Sequence, residues 1–132
     1  IMEVALGFRD RLDIFGNNYS TKDGTGVRDY VHVRDLVSAH LKAIDYIVGE
    51  KKNLIINLGS GKGQSVLDII KKVREICNVS IKYDFKERRY GDSDIMIASS
   101  KLAKELISWE SKYSDLDTII KSTWAVYKSY KD

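Results

Sequence analysis

The chain has 132 residues, of which 43% are apolar and 31% charged, with a formal net charge of +3 at pH 7. That length suits one domain or a piece of one, and so small a net charge does not imply a nucleic-acid partner. The single cysteine, Cys77, excludes an internal disulfide framework and fits a reducing compartment, and no apolar run approaches the length of a membrane span.

Ile1 to Phe8 reads as the last turns of a helix ending near Gly7, so a segment upstream of Ile1 is expected. Leu12–Phe15 (LDIF) is a short strand, and GNNYSTKDGTG from Gly16 to Gly26 is a polar loop of turn-forming residues. Asp29–Val33 alternates as a brief strand. From Asp35 to about Val48 the spacing predicts a helix with Leu36, Val37, His40, Leu41, Ile44, Ile47 and Val48 on one apolar face and Gly49 as its stop. Leu54–Leu58 is a continuous apolar strand of the kind buried in a parallel sheet. Ser65 opens a helix with Asp68 in near capping-box spacing, and Leu67, Ile70, Val73, Ile76 and Cys77 form its apolar stripe. Ile81–Phe85 alternates as a strand, Lys86–Asp94 (KERRYGDSD) is a charged loop, and Ile95–Ala98 is a short strand. Ser99 or Ser100 caps a helix to about Ile107, and a last helix starts at Ser114, carrying Leu116, Ile120, Trp124 and Tyr127 as packing residues. Strands and helices alternate, so the fold class is α/β. With no leader and no spanning segment in view, a soluble, cytoplasmic protein is expected.

NLGSGKGQS, from Asn57 to Ser65, has the general shape of a phosphate-binding loop, in which free N–H groups at a helix N-terminus attract an anion. Its spacing fits neither template. A dinucleotide loop needs G-x-G-x-x-G, and the third glycine here comes one residue early; a P-loop needs Gly-Lys-Ser/Thr, and Lys62 is followed by Gly63. We read it as a strand-to-helix turn. DGTGVRDYVHVRD (Asp23–Asp35) and ERRYGDSD (Glu87–Asp94) carry better chemistry, since each sets Arg beside Asp and Gly at a strand end. An Arg fork suits a diphosphate and an Asp suits sugar hydroxyls. Composition alone serves equally well for Arg28–Asp29 and Arg89–Asp92 as surface ion pairs of little energetic weight.

IFGNNYSTKDGTGVRDYVHVRDL (Ile14–Leu36) closely resembles the segment IFGNDYPTxDGTGVRDYIHVxDL of UDP-glucose 4-epimerases. NLGSGKGQSVLDII (Asn57–Ile70) is similar to that family's NLGxGxGxSVLEVI. ERRYGDSD followed by ASSKLAKELISW (Ala98–Trp109), and the closing TIIKSTWAVYKS (Thr118–Ser129), match in order and spacing over nearly the whole chain. The resemblance implies the C-terminal, substrate-binding part of an extended Rossmann-type short-chain dehydrogenase/reductase, residues 1–132, with the N-terminal dinucleotide-binding half absent. It implies that Arg28 and Arg89 grip the diphosphate of UDP-glucose or UDP-galactose and that Asp92 accepts from the uridine ribose. Asp13, Ile14 and Phe15 would line the uracil, largely through main-chain groups. The sequence departs from the family pattern at Ser20, where Pro is usual, at Tyr90, and at Met96, where many members carry Tyr.

The family's reaction is a reversible, NAD-dependent oxidation at C4 of the sugar. The resemblance places the NAD loop and the catalytic Tyr-x-x-x-Lys pair upstream, so no catalytic residue and no NAD-binding residue is expected here, and the chain alone should be inactive. Tyr127 and Lys131 match Tyr-x-x-x-Lys only formally, at the end of the last helix. The resemblance implies a homodimer for the intact enzyme, without nucleic-acid or membrane partners. Two alternatives stay open: another nucleotide-sugar epimerase or dehydratase on the same scaffold, and a non-catalytic nucleotide-sugar-binding or interaction module. His32 is expected to make an orienting hydrogen bond at a tight corner and His40 to sit in the core. Neither has neighbours at metal-ligand spacing.

Overall fold

The computed structural model describes residues 1–130. Ten elements follow in order: α1 (Met2–Leu6), β1 (Leu12–Phe15), β2 (Val27–Asp29), α2 (Val33–Glu50), β3 (Gly63–Ser65), α3 (Val66–Cys77), β4 (Tyr83–Lys86), β5 (Ile95–Met96), α4 (Lys101–Ile107) and α5 (Leu116–Lys128). The class is α/β, as expected. The strands form two small sheets. β1 pairs in parallel with β4, Leu12 opposite Tyr83, and β2 lies between antiparallel β3 and parallel β5.

The helix ends follow local chemistry. The Ser65 hydroxyl accepts from the Asp68 N–H while the Asp68 carboxylate accepts from the Ser65 N–H, so the predicted capping box of α3 is complete. Asp115, not Ser114, caps α5 by accepting from the Thr118 N–H. Ser100 precedes α4 without a side-chain cap.

Two apolar clusters hold the elements together. Val4, Ile14, Ile69, Ile70, Val73, Ile81 and Ile120 bury α1, β1, α3 and α5 against one another. Ala39, Ala103, Ile107 and Trp109 join α2 to α4, with Tyr46, Leu54, Ile56 and Leu58 packed alongside. This second cluster corrects the reading of α2. Its inward stripe is Asp35, Ala39, Ala43 and Tyr46, while Val37, Leu41, Ile44, Ile47, Val48 and His40 are exposed. Periodicity finds an amphipathic helix but does not say that its apolar face is covered. The helix also starts two residues earlier than expected, because His32 caps it.

Leu54–Leu58 is extended but joins no ladder among the described residues, contrary to the expected buried strand. Its side chains alternate, Leu54, Ile56 and Leu58 half-buried and Ile55 exposed. A strand exists only where a neighbouring strand takes its N–H and C=O groups, and none of the described residues does so here. The short pairing at Gly63–Ser65 was not foreseen, and β2 sits two residues upstream of the predicted strand.

Candidate functional site

The glycine loop is occupied by the chain's own groups. The Asp29 carboxylate accepts from the N–H groups of Ser60 (2.9 Å), Gly61 (3.1 Å) and Ala98 (3.3 Å), and from the Ser60 hydroxyl. A Cβ on Gly59 would collide with that carboxylate and lie 2.7 Å from the Ala98 Cβ. Gly63 is equally confined, because a Cβ there would lie 2.6 Å from Val27 and 2.7 Å from Ile97. At the start of α3, the Leu67 N–H reaches the Thr25 hydroxyl (3.4 Å) and the Asp68 N–H reaches Ser65. The N–H groups that would hold a phosphate are therefore taken. These residues do not fit a dinucleotide, and no cofactor step is assigned to them.

The same latching runs through Asp23, whose carboxylate accepts from the Thr25 N–H and hydroxyl (2.9 and 2.7 Å) and from the Ser65 hydroxyl. Burial pushes the Asp23 carboxyl up, but these hydrogen bonds outweigh it and hold the group below its ordinary value. The DGTG turn is thereby tied to the head of α3, which fixes the approach into β2.

β2 presents Arg28. Its Nη1 donates to the carbonyls of Val27 (2.8 Å) and Ser93 (2.9 Å), and its Nη2 lies 4.0 Å from the Asp92 carboxylate. Nε and Nη2 keep donors for a ligand, since a guanidinium carries five N–H groups. Arg89 makes no ion pair among the described residues; its guanidinium lies over the Phe15 ring, 3.8 Å from the centroid. The Tyr19 hydroxyl donates to Asp92 Oδ2 (3.3 Å). Neither local ion pair considered from composition, Arg28–Asp29 or Arg89–Asp92, forms. Arg28 instead faces Asp92, and Arg88 pairs with Asp94 at 2.7 Å.

Phe15 belongs to the open edge of β1. The Leu12 N–H donates to the Lys82 carbonyl and the Gly16 N–H to the Lys86 carbonyl, both at 2.9 Å. Main-chain groups of a parallel strand alternate between its two edges. The N–H and C=O of Asp13 and Phe15 therefore face away from β4, where no strand pairs with them among the described residues. The Ile14 side chain is buried in the core, and the Asp13 carboxylate lies 3.9 Å from Arg9 and 3.7 Å from Lys86. Of the expected site residues, Arg28 thus faces Asp92 and Arg89 lies over Phe15, the two pairs being linked by the turn in which the Asp92 N–H donates to the Arg89 carbonyl (3.4 Å), while the Asp13 main chain lies on the open edge of β1 and Ile14 is buried.

Sequence reasoning missed Tyr19 and Arg88. Tyr19 is buried inside a loop of polar residues, with the Arg88 guanidinium 4.1 Å from its ring centroid. An aromatic residue in an otherwise polar, turn-rich stretch was the available signal.

A second polar cluster pins the corner between β2 and α2. His32 Nδ1 accepts from the Arg34 N–H (3.0 Å), and Nε2 meets the Ser122 hydroxyl oxygen at 2.9 Å. With Nδ1 accepting, the proton of the neutral ring sits on Nε2 and is donated to Ser122, whose own hydroxyl donates to the Ile119 carbonyl. His32 is no base toward Ser122, and the pair is a clamp, as the expected orienting role requires. Buried Asp35 accepts from the N–H groups of Lys112 (3.0 Å) and Tyr113 (2.9 Å) and from the Ser114 hydroxyl (2.6 Å). Burial raises its carboxyl, but these hydrogen bonds more than offset that and leave it below its ordinary value. His40 is exposed, its Nδ1 2.7 Å from the Leu36 carbonyl, and so is not the core histidine expected.

An open groove of about 770 Å³ lies between Gly59–Gly61, the start of α4 and Glu110–Lys112, and is lined by none of the expected nucleotide residues. Among the described residues no cluster of His, Cys, Asp or Glu can hold a metal ion, and no helix is long and apolar enough to cross a membrane. Lys131 of the formal Tyr-x-x-x-Lys match lies outside the described residues.

The sequence profile of the GDP-mannose 4,6 dehydratase family matches residues 1–123. The chain belongs to this family. Within it, the expected likeness to UDP-glucose 4-epimerases is upheld. The UDP-glucose 4-epimerase of Streptococcus mutans is 43% identical over 130 residues, which cover 98% of this chain and 39% of that protein. The structure of the UDP-glucose-4-epimerase from Stenotrophomonas maltophila, with bound NAD and formylated UDP-arabinopyranose, superposes with a TM-score of 0.93 at 34% identity, covering 99% of this chain and 39% of that one. The Bifidobacterium longum UDP-glucose 4-epimerase, in complex with NAD+ and UDP, gives 0.86 at 34% identity, covering 99% and 38%. This member of the family therefore spans about two fifths of the length of the curated relatives it matches.

Proposed function

We propose that residues 1–132 are the C-terminal UDP-sugar-binding portion of a UDP-glucose 4-epimerase, which interconverts UDP-glucose and UDP-galactose. The observation that carries this reading is the convergence of Arg28, Arg89 and Asp92 with the open edge of β1 on one surface. The free donors of Arg28 and the unpaired Arg89 receive the diphosphate, which a planar fork binds through parallel charge-assisted hydrogen bonds. Asp92 accepts from the ribose hydroxyls. The Phe15 N–H and Asp13 C=O offer the edge of a uracil one donor and one acceptor, and the exposed Phe15 ring adds apolar surface beside them.

In this reading the chain binds and orients the nucleotide. NAD, which supplies hydride chemistry at C4, belongs to a part of the protein other than these residues, and so do the groups that move the hydroxyl proton. The homodimer of the intact enzyme is likewise a matter of surfaces beyond this chain. The family profile carries the name of a GDP-mannose dehydratase, which favours a second reading, a guanine-nucleotide site on the same scaffold.

Calorimetry on the chain with UDP and with GDP separates the two. UDP is expected to bind more tightly, and the Arg28→Ala, Arg89→Ala double variant to lose about two orders of magnitude, the worth of two charge-assisted bonds at about 1.5 kcal/mol each. Equal UDP affinity in both proteins would defeat the anion site. Turnover of UDP-galactose with NAD by this chain alone would overturn the placement of the catalytic groups elsewhere.

A further inference from the structure

The Asp92 carboxylate stands between two claims. Its Oδ1 faces Arg28 Nη2 at 4.0 Å, too far for a hydrogen bond, while its Oδ2 is held by the Tyr19 hydroxyl at 3.3 Å. Tyr19 is itself fixed from every side. Its N–H donates to the Gly24 carbonyl (3.0 Å), its carbonyl accepts from the Thr21 N–H (2.7 Å), and the residue as a whole is only 5% exposed. Gly16, at φ +93°, leaves room for that ring, since a Cβ there would enter it. On the other face Arg88 stacks at 4.1 Å from the centroid and donates from Nη2 to the Asp92 carbonyl and the Asp94 carboxylate, both at 2.7 Å. One phenol thus ties the Gly16–Gly26 loop to the Arg88–Asp94 loop and sets the torsion of the Asp92 carboxylate.

We infer that Tyr19 is a positioning residue that aims Asp92 at the ribose hydroxyls of the bound nucleotide and so sets the preference for a ribonucleotide over a deoxyribonucleotide. The inference rests on the assignment of Asp92 to the ribose. Without the hydroxyl, nothing holds Oδ2, and the carboxylate swings toward the guanidinium of Arg28, its nearest cation. Two losses follow together: the ribose loses an oriented acceptor, and Arg28 spends its Nη2 donors on Asp92 instead of on a phosphate. Removing one phenolic oxygen leaves the ring, its burial and the Arg88 stack in place, so Tyr19→Phe perturbs the aim of Asp92 with little change to packing.

The test is a cycle between the phenol and the ligand, using UDP, 2′-deoxy-UDP and 3′-deoxy-UDP with calorimetry on the wild-type chain, Tyr19→Phe, Asp92→Ala and the double variant. The wild type is expected to bind UDP about tenfold more tightly than the poorer deoxy analogue, the size of one hydrogen bond to a charged group. Tyr19→Phe is expected to reduce that ratio to about threefold, and Asp92→Ala to bring it near one, with no further change in the ratio in the double variant. A Tyr19→Phe chain that binds all three nucleotides more weakly but keeps the full ratio would overturn the inference, because a purely structural role moves affinity and not discrimination. So would a ratio in the double variant below that of Asp92→Ala. A wild type that binds UDP and both deoxy analogues alike would remove Asp92 from the ribose, and one that binds no UDP would defeat the nucleotide reading itself.

Discussion

Replacing Asp35 by Asn tests how the corner between β2 and α2 is held. The carboxylate takes the Lys112 N–H on Oδ1, and the Tyr113 N–H and Ser114 hydroxyl on Oδ2. A carboxamide has one acceptor oxygen, so whichever way it turns, its NH2 faces at least one of these donors. One buried donor is left unpaired, at about 1–3 kcal/mol, and the surviving bonds lose their charge assistance. The sum is about 3 kcal/mol, roughly 10 °C in Tm for a domain of this size. Sign and pH window follow from the depressed carboxyl. Its stabilisation is complete above the unfolded value near 3.9 and is lost as pH falls through the lower folded value. Urea unfolding of wild type and Asp35→Asn should therefore show the full gap at pH 7 and a narrowing gap below about pH 4. A gap under 1 kcal/mol at pH 7, or one that does not change with pH, would refute the reasoning.

Gly59→Ala should destabilise by about 2–3 kcal/mol through overpacking against Asp29 and Ala98, whereas Gly61→Ala, at φ +70° with open space around it, should cost about 1 kcal/mol. Denaturant melts giving equal costs would mean that the loop is not shaped by Asp29. The exposed stripe of α2 and the unpaired Leu54–Leu58 segment should make this chain self-associate, and Val37→Asp with Leu41→Glu should shift light scattering toward the monomer. A wild-type chain that is monomeric at high concentration would count against that.

The parts of the fold written in local chemistry were legible before the structure. The α3 capping box, the LDIF strand and the alternation of helix with strand depend on neighbours within a few positions. What failed depends on partners distant in sequence. An apolar stripe on α2 is as regular whether covered or bare, and Leu54–Leu58 reads as a strand without the neighbour that would make it one. The proposed site residues Arg28, Arg89 and Asp92 came from resemblance, which did not point to the phenol between loops, because Tyr19 meets a partner 73 positions away. Arg28 likewise looks adjacent to Asp29 in the sequence, yet strand alternation turns the two side chains to opposite faces of β2.

That separation has a kinetic meaning. The Tyr19–Asp92 bond closes 73 positions of chain and the Arg28–Ser93 bond 65. Closing a loop of that length costs roughly 4 kcal/mol of chain entropy before any contact repays it. The helices, with contacts three or four positions apart, form without that cost. The arginine face, like the β1–β4 pairing, is therefore expected to form after the helices, and its integrity reports on completion of the whole topology, not on any one loop.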